Sequence, residues 1–118
     1  MKRLLVVDDN AVNRKLALAM LKKRGWEMEE AENGTDALAK LETGRFDYVL
    51  LDISMPGMDG EEVCRRIRAN DAIKHLLVIA YTAHALESER QRIMGAGFND
   101  IVIKPVTMDT LLAKFPPA

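Results

Sequence analysis

Four short, unbroken apolar runs most constrain what this chain can fold into: residues 4–7, 48–51, 76–81 and 101–103. Each is rich in branched side chains and bounded by polar residues. Runs of this length suit strands buried on both faces, as in a parallel sheet covered by helices. A fifth segment, residues 27–31, reads as a weaker strand. Its three glutamates, Glu27, Glu29 and Glu30, fit a sheet edge better than its centre.

Helical patterns fill the gaps. Across residues 10–24, Val12, Leu16, Ala19 and Met20 recur at helical spacing as the apolar face, and Gly25 supplies a stop. In residues 35–42, Ala37, Leu38 and Leu41 share a face before Gly44. Residues 61–69 carry Val63, Cys64 and Ile67 on one side, with Glu61, Arg65 and Arg66 on the other. Residues 85–94 are mostly polar, with Leu86, Ile93 and Met94 as apolar points. A short last helix over residues 108–114 precedes Phe115-Pro116-Pro117-Ala118. Strand-helix alternation with short connections predicts an α/β fold: a doubly wound five-stranded parallel sheet with right-handed crossovers and helices on both faces.

The 118 residues form one domain's worth of protein, with 48% hydrophobic and 30% charged side chains. Seventeen basic residues face eighteen acidic ones, so no basic excess draws phosphate-rich partners such as nucleic acid or a membrane surface. The single cysteine, Cys64, cannot form an internal disulfide and fits a reduced, cytoplasmic setting. The first apolar run stops at Asp8, too soon for a signal peptide, and no run approaches the ~20 residues of a membrane-spanning helix.

In such a sheet, ligands bind beyond the carboxyl ends of the strands, where the strand order reverses. The first strand ends in Asp8-Asp9-Asn10, the third in Asp52, the fourth in Thr82-Ala83 and the fifth in Lys104-Pro105. The topology aims all of them at one edge. Clustered carboxylates raise one another's pKa unless a cation relieves them, and all-oxygen ligands suit Mg²⁺ or Mn²⁺. No glycine-rich phosphate loop follows the first strand, which counts against a dinucleotide site. A divalent ion with Lys104 and Thr82 suits a transferring phosphoryl group, with an ionised Asp as nucleophile.

These residues carry a resemblance. Leu4-Leu5-Val6-Val7-Asp8-Asp9-Asn10, Val49-Leu50-Leu51-Asp52-Ile53-Ser54-Met55-Pro56-Gly57-Met58-Asp59-Gly60, Ile79-Ala80-Tyr81-Thr82-Ala83 and Ile103-Lys104-Pro105, in that order, resemble the receiver domain of two-component response regulators. The likeness extends over essentially the whole chain, so residues 1–118 are expected to be one receiver domain with a flavodoxin-like strand order 2-1-3-4-5. It implies that Asp52 accepts a phosphoryl group from a phosphohistidine on a histidine kinase or phosphotransfer protein. Asp8, Asp9, Asp52 and the Ser54 carbonyl would bind Mg²⁺. Thr82 would be the switch hydroxyl and Lys104 the phosphoryl's ion-pair partner. The Lys104-Pro105 peptide would be cis, aiming the lysine into the site. Ser54 and His84 stand where the family tunes the lifetime of the acyl phosphate. Ile101 occupies the switch position usually held by Tyr or Phe, and an aliphatic side chain cannot reproduce the aromatic rotamer change. The short last helix reduces or alters the face formed by the fourth helix, fifth strand and fifth helix.

Simpler readings stand beside these. Asp8, Asp9 and Asn10 are all favoured helix caps, and Pro56 to Gly60 reads as a turn with Asp59 capping the next helix. Cys64 reads as a small buried side chain, and the methionines as gap-fillers. Two other functions are weighed. A haloacid-dehalogenase-type phosphatase needs an acid/base Asp two residues after the nucleophile, where this chain has Ser54. A receiver-like module that only binds proteins would not need the complete set of Asp8, Asp9, Asp52, Thr82 and Lys104, while Ile101 leaves open a receiver-like protein-binding module whose phosphorylation is only weakly coupled to output. The expected output is a changed contact surface read by a downstream protein. The only catalysis expected is the domain's own phosphotransfer to Asp52 and its autodephosphorylation.

Overall fold

The computed structural model describes residues 2–83 and 86–115. The elements alternate as expected: β1 (Arg3–Val7), α1 (Ala11–Leu21), β2 (Glu27–Ala31), α2 (Gly34–Thr43), β3 (Tyr48–Asp52), α3 (Gly60–Ala69), β4 (Leu77–Thr82), α4 (Glu87–Gly95), β5 (Asp100–Ile103) and α5 (Met108–Ala113). The five strands form one parallel sheet in the order β2-β1-β3-β4-β5. The glutamate-bearing β2 is at an edge, where its charges stay solvated.

Period-two alternation divides the core. Leu5, Val7, Val49, Leu51, Val78, Ala80 and Ile101 point to one face, where they pack with Ala37 and Leu41 of α2, Val63, Cys64 and Ile67 of α3, and Ile93 of α4. Leu4, Val6, Leu50, Ile79, Tyr81 and Val102 point to the other, with Ala17 and Leu21 of α1 and Leu111 of α5. Trp26, Tyr48 and Phe115 close that second cluster, with ring centroids 4.9 to 5.9 Å apart.

Helix starts follow local chemistry. Asn10, Asn33, Asp59 and Thr107 each accept a hydrogen bond from the backbone N–H three residues on, capping α1, α2, α3 and α5. Past α1 a 3₁₀ turn (Lys22–Arg24) ends at Gly25, whose φ of 73° is the left-handed stop the sequence implied.

The outer faces of two helices, α1 and α3, differ from expectation. On α1, Val12 is 74% and Leu16 48% exposed, and Ala19 also faces outward. The helix instead buries Ala17 and Leu21, and of the expected face only Met20 packs partly against the same cluster. The mostly polar α4 buries only Ile93, while Met94 and Leu86, the residue before the helix, are exposed. Glu61, assigned to the solvent side of α3, is buried and accepts a hydrogen bond from Arg92 of α4 at 2.6 Å.

Candidate functional site

Strand register brings the chemistry together. Val7 lies opposite Leu51, Asp52 opposite Tyr81, and Thr82 opposite Ile103. Asp8, Asp52, Thr82 and Lys104 therefore reach the same edge of the sheet, beside the point where the chain crosses from one side of β1 to the other. Ligand oxygens of Asp8, Asp9 and Asp52 all lie within 4.8 Å of one another. Asp8 and Asp52 are buried and Asp9 is exposed, so the cluster opens to solvent on Asp9's side.

The two buried acids are each held by the backbone that follows them. Asp8 Oδ1 accepts the Asn10 N–H at 2.9 Å, and Arg14 Nη1 donates to the Asp8 carbonyl at 2.8 Å while its Nε donates to Glu30. The capping reading of this loop is thus satisfied by Asn10, which leaves Asp8 and Asp9 to the cluster. Asp52 Oδ1 accepts from the Ser54 N–H and from Lys104 Nζ, each at 3.2 Å. Lys104 Nζ also stands 3.6 Å from Asp8 Oδ2. Burial, reinforced by the Asp8 charge, pushes Asp52 up to about 6 against the opposing pull of Lys104 and the Ser54 N–H. The Lys104-Pro105 peptide is cis.

The turn after β3 fits the site closely. Gly57 adopts φ of 78°, Asp59 caps α3, and the Gly60 N–H donates to the Ile53 carbonyl at 3.0 Å. A Cβ on Gly60 would stand 2.2 Å from the Asp52 carbonyl oxygen, so only glycine lets α3 start this near the acid.

The sequence pattern of the response regulator receiver domain matches residues 4–115. The chain belongs to the response regulator receiver family. Among relatives of this receiver, the sensor histidine kinase RcsC of Escherichia coli is 41% identical over 108 residues, covering 92% of this chain and 11% of that protein. The chemotaxis protein CheY of Pseudomonas aeruginosa is 37% identical over 113 residues, covering 95% of this chain and 91% of that one. The chain thus spans about a tenth of the sensor kinase and most of the chemotaxis protein. Among solved structures, the receiver domain of sensor histidine kinase PA1611 from Pseudomonas aeruginosa, with magnesium coordinated in its active site cleft, has a TM-score of 0.87 at 34% identity, covering 95% of this chain and 92% of that one. No helix among the described residues is long and apolar enough to cross a membrane.

The receiver's acidic cluster fits a divalent cation on its own chemistry. Asp8 Oδ2 is buried and takes no hydrogen bond from any described residue. A buried carboxylate oxygen without a hydrogen bond is costly unless positive charge faces it, and the Lys104 ammonium 3.6 Å away is shared with Asp52, one positive charge against three carboxylates. Three carboxylates form the hard, all-oxygen kind of set that magnesium prefers.

Of the other residues singled out in the sequence, Thr82 is buried at the end of β4 and Ser54 is exposed beside Asp52. Ile101 is buried in the same cluster as Ile93 and Phe98. His84 lies outside the described residues, as do Pro116 and Pro117. Sequence reasoning missed Tyr81, whose ring centroid lies 4.4 Å from Lys104 Nζ. Burial, then Asp8 and Asp52, raises its hydroxyl pKa. Its position in β4, level with Asp52, was the available signal. Arg14 was missed too, being one cation on a helix with several.

Proposed function

We propose that this receiver is a phosphorylation switch in which Asp52 takes a phosphoryl group from a phosphohistidine on a histidine kinase or phosphotransfer protein. The observation that carries this reading is the convergence of Asp8, Asp9, Asp52 and Lys104 from three strand ends into one crevice. An Asp52 carboxylate oxygen forms a bond to phosphorus as the phosphorus–nitrogen bond of the donor breaks. The imidazole nitrogen keeps the bonding pair and takes a proton from solvent.

Asp8, Asp9, Asp52 and the Ser54 carbonyl would hold Mg²⁺, which when bound offsets negative charge on the carboxylates and the phosphoryl oxygens. The Ser54 N–H and Lys104 orient Asp52 for attack. Once Asp52 is phosphorylated, its charge moves outward onto the phosphoryl group, and the Lys104 ammonium follows it. The Thr82 hydroxyl donates to a phosphoryl oxygen, shifting the end of β4. The chain's contact surface for a downstream protein changes with that shift, as a two-state equilibrium biased by the new charge. Ile101 is aliphatic, so this coupling does not use an aromatic swing. Ser54 and His84 set water's access to the acyl phosphate and hence its lifetime.

Ser54 also separates this reading from a phosphatase, because it offers no carboxyl to protonate a leaving group. Incubation with acetyl phosphate and Mg²⁺ tests the proposal. One phosphoryl group per chain, mapped to Asp52 and absent from Asp52→Asn, is expected. Continuous turnover of phosphate esters, or labelling that survives Asp52→Asn, would overturn it. Exchanging Ser54 or His84 should change the acyl-phosphate half-life, and unchanged half-lives would remove them from that role.

A further inference from the structure

Tyr81 borders the acidic crevice but has no role in the chemistry above. Its ring is buried in the cluster that holds Leu50 and Val102, on the sheet face to which alternation also assigns Asp8, Asp52 and Lys104. The Lys104 ammonium lies 4.4 Å from the ring centroid, 3.2 Å from Asp52 Oδ1 and 3.6 Å from Asp8 Oδ2. Backbone bonds fix both partners: the Ile53 N–H donates to the Tyr81 carbonyl at 3.2 Å, and the Lys104 N–H donates to the Thr82 carbonyl at 2.7 Å.

We propose that Tyr81 is a positioning residue whose ring face holds the Lys104 ammonium against Asp52 and Asp8. The role in phosphorylation rests on the reading of Asp52 as phosphoacceptor. A lysine ammonium is a point charge on a flexible stem, and it has little intrinsic preference of direction. Carboxylates attract it but leave its far side to be desolvated. An aliphatic residue in place of Tyr81 would set that side against hydrocarbon, which is costly for a charge. The negative face of an aromatic ring offsets this cost without accepting a directed hydrogen bond. The N–H groups thus remain available to oxygen acceptors. The same lack of direction matters once Asp52 is phosphorylated. The ammonium can slide across the ring toward the phosphoryl oxygens, whereas a carbonyl or a further carboxylate would tether it.

The face, not the hydroxyl, carries the attraction, so Tyr81→Phe should behave as wild type and Tyr81→Leu should not. The first readout is NMR of ion-free protein with labelled lysine. In wild type and Tyr81→Phe, the Lys104 ε-methylene protons should be shifted upfield by the ring and show NOEs to ring protons. In Tyr81→Leu the upfield shift should disappear. The second readout is phosphorylation by acetyl phosphate at saturating Mg²⁺. Tyr81→Leu should be about tenfold slower, the factor that about 1.4 kcal/mol of lost attraction gives. Wild-type methylene shifts without NOEs to the ring would overturn the proposal, and so would a Tyr81→Phe as slow as Tyr81→Leu. If Tyr81→Leu does not fold, the wild-type NOEs and the Tyr81→Phe rate decide. A wild type that accepts no phosphoryl group overturns the Asp52 reading instead. The methylene shifts, which need no phosphorylation, still decide whether the ring holds the ammonium.

Discussion

Lys104 Nζ donates to Asp52 Oδ1 at 3.2 Å, joining residues 52 positions apart in the chain. The contact relieves the buried carboxylate only in part, since Asp52 stays raised from 3.8 to about 6. Without a divalent ion, the folded state therefore keeps a proton over a pH range where the unfolded chain has lost it. This contribution to stability is full below about pH 4, falls as pH rises through about 6, and is then flat. Asp52→Asn lacks it. In EDTA, the variant should gain on wild type across that window, by on the order of 3 kcal/mol at neutral pH. Urea unfolding of both proteins at several pH values measures the difference, and parallel profiles would contradict it.

Lys104 occupies the space between Asp52 and Asp8 with the same sign of charge as a bound metal. Lys104→Met should therefore bind Mg²⁺ more tightly, by roughly threefold to tenfold. It should also be less stable in EDTA, because two buried acids lose their counter-ion. Calorimetric titration alongside urea unfolding tests both effects. Weaker Mg²⁺ binding would mean that the lysine shapes the site more than it competes for it.

Gly60→Ala should damage stability and site together. The added Cβ meets backbone on two sides, the Asp52 carbonyl oxygen at 2.2 Å and Ile53 Cα at 2.9 Å, and neither can rotate away. The start of α3 must retreat from β3, at a cost of about 3 kcal/mol or more, carrying Asp52 out of place. Gly57→Ala is the control: φ is 78° there but nothing lies within 4 Å, so about 1 kcal/mol is lost and Mg²⁺ affinity is retained. Equal Mg²⁺ affinity in the two variants would separate the glycine's packing from the site.

The strands and the acids at their ends were legible because buried parallel strands announce themselves as apolar runs, and the residue after each run must lie at the carboxyl edge. Helix faces were less so. Helix α1 has two apolar stripes, one through Val12, Leu16, Ala19 and Met20 and one through Ala17 and Leu21, and periodicity alone cannot rank them. The sheet took the stripe that carries Leu21, a tertiary decision invisible in the local pattern. Glu61 was misplaced for a similar reason, since its partner Arg92 comes from another helix. Tyr81 escaped notice because a tyrosine in a strand is usually core. It is core here too, and it adjoins the site because the register sets it level with Asp52.

The two stripes of α1 can be told apart by truncation. Leu21 is fully buried, so Leu21→Ala should cost about 2–5 kcal/mol. Leu16 is 48% exposed, and Leu16→Ala should stay within about 0.5 kcal/mol of wild type. Urea midpoints measure both. A larger loss at Leu16 than at Leu21 would place the helix in the phase that the sequence pattern first implied.

Cys64 offers a readout of the distant site. The residue is fully buried on α3, and desolvation pushes its thiol up to about 11 despite Arg68 and Arg65 nearby. Native protein should therefore resist thiol reagents at mildly alkaline pH, reacting only through molecules that have opened. If that opening is global unfolding, any ion bound only by the folded state slows labelling by the factor 1 + [L]/Kd. Mg²⁺ at about one hundred times its dissociation constant should slow the reaction about one hundredfold, and Asp52→Asn should lose part of that protection. A labelling rate unchanged by Mg²⁺ that measurably binds would show that α3 lifts away by itself, leaving the acidic crevice intact beneath the opening.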